Sequence, residues 1–160
     1  MKPAAIIVII LCIAALAGTG YLYFTSNVEV SFTGCIATDA LDQRETFSQL
    51  TGDLKDGVLT GTPFTQNVDS SPEDYQFYTF SVRIDNRSFL RAEQAEIQVT
   101  PMSGDVLQMG SQYVCDVPAR TSTDLSATIL TVKTAHNVRE LTVSYYIWGI
   151  PFLVRLTTGG

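Results

Sequence analysis

An all-β domain behind an N-terminal transmembrane helix is the architecture this sequence predicts, and three observations carry it. Residues 4–24 form one uncharged apolar run. From Val28 onward, apolar and polar residues alternate with a period of two. Turn residues recur every dozen positions or so, with no long amphipathic helix between them. A period-two pattern broken by turns gives half-buried antiparallel strands, whereas a parallel sheet needs a helix between successive strands.

The apolar run reads AAIIVIILCIAALAGTGYLYF. As a helix rising about 1.5 Å per residue it is about 31 Å long, close to the hydrocarbon thickness of a bilayer. Two readings fit it. As an uncleaved anchor, residues 1–25 span the bilayer and end on Tyr21, Tyr23 and Phe24, rings suited to the headgroup boundary. As a signal peptide, Lys2 is a thin basic region and Ala15-Leu16-Ala17 a small-x-small cleavage site before Gly18. A lipid-modified cysteine does not fit, because Cys12 follows Leu11 where a lipobox has a small residue. Lys2 precedes the run, and the next basic residue is Arg44, after Glu29. Positive charge stays on the cytoplasmic side, so the expected topology is a single pass through the cell membrane. The N-terminus is then inside and residues 28–160 outside.

The first strand of that outer domain is read from Val28, Val30 and Phe32, which alternate with Glu29, Ser31 and Thr33, and Gly34 marks a bulge. Residues 39–74 form a helical and loop insertion. Thr38 or Asp39 caps a short helix over 40–50, with Leu41, Phe47, Leu50 and Leu54 at helical spacings. Asp56-Gly57 and Thr60-Gly61-Thr62-Pro63 are turns, and residues 67–74 a polar loop. The strongest strand, YQFYTFSVRID, puts Tyr78, Phe80, Val82 and Ile84 on one face. Asn86-Arg87-Ser88 then turns the chain, with Phe89 and Leu90 tucking back. Ala95, Ile97 and Val99 point inward from the next strand, and Ser103-Gly104-Asp105 turns before Val106 and Leu107. Val117-Pro118-Ala119 leads into Leu125, Ala127 and Ile129. After a turn over 135–139, residues 141–148 and 152–158 pair as a hairpin across Gly149-Ile150-Pro151, with Pro151 suited to an outer strand. About seven strands and one short helix make an antiparallel Ig-like/fibronectin-III-like β-sandwich.

Composition narrows the function classes. The chain has 10 Lys+Arg against 16 Asp+Glu, a net charge of −6. Lys2 is the only charge before Glu29, so the outer domain is one unit more acidic still. An acidic domain without a basic stripe argues against nucleic acid and against electrostatic binding to anionic lipid. Of three cysteines, Cys12 lies in the apolar run, leaving Cys35 and Cys115 in the outer domain. The pair is a candidate disulfide, closing a loop worth about 4 kcal/mol in the chain-entropy model. Two separate buried thiols are the other reading. With no C-x-x-C and no histidine beside either, thiol catalysis and zinc binding find no support.

Part of the chain has a recognisable rhythm: FSVRIDNRSFLRAEQAEIQVTPMSGDVL, then YVCDVPARTSTDLSATIL. It resembles the membrane-anchored β-sandwich domains of bacterial FxLYD-type and LEA-like proteins. The matching positions are Asn86, the strand over 95–100, Gly104-Asp105 and Val117-Pro118-Ala119. Where that family has Leu-Tyr-Asp, this chain has Asp105-Val106-Leu107. The resemblance implies an envelope accessory or interaction domain, not a defined reaction.

Motifs for chemistry are sparse. His136 is the one histidine, and no G-x-S-x-G elbow or phosphate-cradling glycine loop accompanies it. Asp69, Ser71, Glu73 and Asp74 offer oxygens for a hard cation but lack the EF-hand spacing, so a solvated loop is the simpler reading. Asn86-Arg87-Ser88 fits a glycosylation sequon and equally a hairpin turn. The aromatic group Tyr145, Tyr146, Trp148 and Phe152 is dense, and alternation forbids Tyr145 and Tyr146 from both facing inward. Either the segment over 40–54 covers Tyr146 and Trp148, or they face a partner or the membrane surface. Tyr146, Trp148 and Arg155 are the candidate partner surface, since Tyr, Trp and Arg most often anchor interfaces. The expectation is a non-enzymatic binding or structural module of the cell envelope, partnered by its membrane and by another envelope protein. No cofactor, metal, nucleic acid or small-molecule substrate is expected. The alternative is an envelope hydrolase using surface carboxylates.

Overall fold

A computed structural model describes residues 3–25, 27–58, 61–65, 68, 71–109 and 114–159. The apolar run forms α1 (Pro3–Thr25). Its stretch Pro3–Tyr21 has a mean hydropathy of 2.4 and is unburied by the rest of the chain. It is long and apolar enough to cross a membrane.

The domain that follows is mostly strand. β1 (Val28–Asp39), β3 (Tyr75–Asn86), β7 (Thr121–Val132), β5 (Asp105–Met109) and β2 (Gly61–Pro63) form one sheet in the order β1-β3-β7-β5-β2. β6 (Cys115–Val117), β4 (Ala92–Val99), β8 (Glu140–Ile147) and β9 (Ile150–Thr157) form the other, in the order β6-β4-β8-β9. Every pairing is antiparallel. The described strands outnumber the seven expected because β2 and β6 are three residues each, too short to leave an alternation in the sequence.

The two inner faces enclose the main core. Tyr78, Phe80, Val82 and Ile84 of β3 meet Ile97 and Val99 of β4 and Leu141, Val143 and Tyr145 of β8, as the alternation requires. Gln108 of β5 links the sheets. Its side-chain amide donates to the Ile97 carbonyl at 3.1 Å, and its oxygen accepts the Val99 N–H at 2.9 Å. The bulge expected at Gly34 is present, between Phe32 and Gly34 in the β1–β3 register.

A second, smaller core lies on the outer face of the first sheet. There α2 (Arg44–Lys55) lays Phe47 and Leu50 over Tyr75, Phe77, Val106, Leu107 and Leu130. Phe47 and Tyr75 have ring centroids 5.4 Å apart. The helix starts four residues later than expected. The Asp39 carboxylate accepts the Leu41 N–H at 3.0 Å, closing an Asx turn instead of capping a helix at residue 40.

Antiparallel connection sorts the loops into two ends. At the near end, α1 enters β1, and with it lie the loop over 87–91, the turn over 118–120 and the β8–β9 turn. At the far end lie the last residues of β1, α2 and the loops over 101–104 and 133–139. Gly104 of the far end has φ +94°, and a Cβ there would stand 2.6 Å from a Val132 methyl, so only glycine fits.

Candidate functional site

The near end is organised by one buried side chain. Asn86, the last residue of β3, is fully buried, and its Nδ2 lies 2.8, 3.0 and 3.1 Å from the carbonyl oxygens of Leu90, Val117 and Pro118. Its Oδ1 accepts the Ser88 N–H and hydroxyl at 3.1 and 2.7 Å. One amide thereby ties the loop over 87–91 to the turn over 118–120. The sequon reading of Asn86 fails for the same reason, since the nitrogen a glycan needs is buried and hydrogen-bonded.

With the loop pinned, Leu90 packs inward but Phe89 points out, 64 % exposed, contrary to the expectation that both tuck back. The Arg120 guanidinium stacks 4.3 Å from the Phe89 ring centre. Arg87 pairs with Asp85 and Glu29, each at 2.8 Å, and Arg91 with Asp116 at 3.6 Å. The hydrogen bond from Arg87 is the main reason that Asp85 titrates below the ordinary carboxylate range. A groove of about 380 Å³ runs between Phe89, Arg91, Asp116, Pro118 and Ala119.

The hairpin between β8 and β9 supplies the other half of this surface. Its turn is Trp148-Gly149, two residues with φ +55° and +76°, tighter than the Gly149-Ile150-Pro151 connection expected. Trp148 is 64 % and Ile150 45 % exposed. The tip lies against α1: Thr19 and Tyr23 line a cleft of about 100 Å³ together with Leu90, Ile147, Trp148 and Ile150. Phe152, next along β9, is 5.7 Å from the Tyr23 ring and stacks on Tyr145 at 5.4 Å.

The aromatic group divides as strand alternation demands. Tyr145 is buried, which pushes its phenol pKa upward, while Tyr146 is 40 % exposed. The segment over 40–54 does not cover Tyr146 or Trp148: it packs at the far end, on the other sheet. Register places Tyr146 opposite Pro151 and Arg155 opposite Thr142 on the outer face of the second sheet. They are four positions apart along the strands, about 13 Å. Arg155 reaches Glu140 at 3.7 Å. Trp148 stands at the tip, beyond the edge of that face.

The remaining sequence candidates separate. Cys35 and Cys115 are both free thiols, which corrects the candidate bridge in favour of two separate thiols. Cys35 lies on β1, which packs beside β9, and Cys115 on β6, at the opposite margin of the second sheet. Three strand spacings, about 14 Å, separate those margins, beyond the reach of about 7 Å between bridged Cα atoms. Burial raises the pKa of each thiol. His136 is exposed, and its backbone carbonyl accepts from Arg139. Asp69 lies outside the described residues, and Glu73 and Asp74 are exposed on a single 3₁₀ turn, Pro72–Asp74. Among the described residues no three His, Cys, Asp or Glu side chains converge as a metal site needs.

One feature that the sequence did not single out is Arg139. Fully buried at the far end, it meets Asp105 through two bonds of 2.7 and 3.1 Å and donates to the carbonyls of His136 and Val138. The two residues are 34 positions apart and each sits in turn-like sequence, so no local signal joined them. The closed pair has no access to solvent and holds the far-end loops together.

The chain matches no protein-family model and no curated protein.

Proposed function

We propose that this protein is a single-pass, membrane-anchored module of the cell envelope that binds a partner protein without transforming it. In this reading α1 is retained as the anchor, with the N-terminus cytoplasmic and the sandwich outside. One observation carries it: the Pro3–Tyr21 stretch has a mean hydropathy of 2.4, and the rest of the chain leaves it unburied. Lipid is the environment that removes this cost, at about 25 cal/mol for each Å² taken from water. The resemblance to FxLYD-type and LEA-like domains points the same way.

Binding is favoured over hydrolysis by the carboxylates. Among the described residues, Asp39, Asp85 and Asp124 are held below the ordinary carboxylate range by pairing with Lys133, Arg87 and Arg83. A glycosidase-type acid needs the opposite shift. Among the described residues, the cleft at Trp148 and the groove at Phe89 are not lined by a pair of carboxylates. The partner surface is the outer face of the second sheet, with Tyr146 and Arg155 as anchors.

Protease treatment of intact cells tests the topology: the sandwich should be degraded while a tag on the N-terminus survives. Survival of the sandwich until lysis would reverse the orientation. Intact mass of the membrane-extracted protein should include residues 1–17, and their absence would replace the anchor by a cleaved signal peptide. Tyr146→Ala with Arg155→Ala should abolish cross-linking to the partner without lowering the Tm. Unchanged cross-linking would exclude this face.

A further inference from the structure

The near end carries a second contact, distinct from the partner face. We infer that Phe89, Trp148 and Ile150 rest in the headgroup–acyl boundary of the same bilayer that α1 crosses, an inference built on the anchored reading above. Depth is the first argument. Thr19 falls inside the apolar stretch Pro3–Tyr21, yet it lines one cleft with Trp148 and Ile150. From Thr19 to the end of α1 at Thr25 is six residues, about 9 Å of helix. The hairpin tip therefore reaches back past the end of the helix, to the level where the span meets the headgroups.

Surface chemistry is the second argument. Phe89, Trp148 and Ile150 are exposed large apolar side chains on the two loops nearest α1. Tryptophan in particular places an apolar body in lipid and an indole N–H among headgroups. Around them stand Arg87, Arg91 and Arg120, whose guanidiniums suit lipid phosphates. Glu29, Asp85 and Asp116 offset them, leaving no net positive patch. The apolar side chains therefore drive the contact, and it is insensitive to the anionic lipid content of the membrane. The occupant is fixed by continuity: the anchor brings its own bilayer to this surface, whereas a second protein would have to displace headgroups to reach it.

Trp148 is the only tryptophan, so its fluorescence reports this site alone. The full chain is reconstituted into phosphatidylcholine vesicles with bromines placed either near the carbonyl end or near the terminus of the acyl chains. Shallow bromines should quench Trp148 at least twofold more than deep ones, and 30 % phosphatidylserine or high salt should leave the quenching unchanged. The double variant Phe89→Ser/Ile150→Ser should lose at least half of the quenching while keeping its Tm. A Trp148 that bromolipids leave bright and aqueous iodide quenches as fully as in the denatured chain would overturn the inference. A chain that floats with the vesicles in that experiment leaves the anchor standing and removes only the lipid contact. A chain that fails to float overturns both.

Discussion

The two ends of the sandwich are closed by the same device in different chemistry. At the far end a buried ion pair, Arg139–Asp105, gathers the loops. At the near end a neutral amide, Asn86, does so. Their aromatic residues are opposite in placement: far-end Tyr75 and Phe77 are buried beneath α2 and its Phe47, while near-end Phe89 and Trp148 stand outside. The far end solves its apolar surface with its own helix. The near end, where α1 enters, leaves that surface exposed. Differences in stability between matched substitutions at the two ends are therefore the measurements that break or sharpen the contrast.

The largest expected effect is at the far end. Arg139→Met leaves Asp105 as an uncompensated buried charge and should cost about 3–5 kcal/mol in denaturant unfolding, whereas the double variant Arg139→Met/Asp105→Leu should recover most of it. An Arg139→Met loss as small as that of a surface substitution would erase the contrast. Next, Asn86→Ala orphans buried carbonyls of the near-end loops and should cost about 2 kcal/mol. A loss equal to that of Arg139→Met would show that the amide closes its end as tightly as the ion pair does. Third, Phe89→Ser, on an exposed side chain, should shift stability in detergent by less than about 0.5 kcal/mol. A larger loss would place Phe89 in the core and against the near-end reading.

The smallest effect concerns pH. Asp39, Asp85 and Asp124 have folded-state pKa values lowered by Lys133, Arg87 and Arg83. Groups depressed on folding stabilise at neutral pH and withdraw that contribution as pH falls through the ordinary carboxylate range, near about 3.9, and below. Thermal melts should thus fall on acidification, and salt should flatten the change because all three pairs reach solvent. Asp39 belongs to the far end, Asp85 and Asp124 to the near end. Asp39→Asn and Asp85→Asn measured separately therefore assign the acid sensitivity to an end.

Much of this was legible in the sequence where one period ruled. The inward set of β3, the bulge at Gly34 and the pairing of the last two strands follow from alternation and turn chemistry. Alternation also separates Tyr145 from Tyr146. What escaped depends on partners far away in the chain. α2 begins late because Asp39 spends its carboxylate on a local turn. Phe89 points outward because Asn86, reaching the turn over 118–120, fixes the loop that carries it. Cys35 and Cys115 looked like a pair by count, yet strand order sets them at opposite margins. Trp148 was noticed for its residue type, but only the tight turn shows that it leaves the sheet face and meets α1.

The register of β1 along β3 has a mechanical meaning. The ladder runs unbroken but for one bulge, from Val28 opposite Asn86 at the helix side to Asp39 opposite Gln76 at the other. If α1 anchors the chain as proposed, tension between the bilayer and whatever holds the sandwich enters through the first residue of β1 and acts along the strand. Such a pull loads the ladder's hydrogen bonds together, in shear, where a pull across the strand would open them singly like a zipper. The edge strand that follows α1 would thus resist a pull on that helix along its whole length.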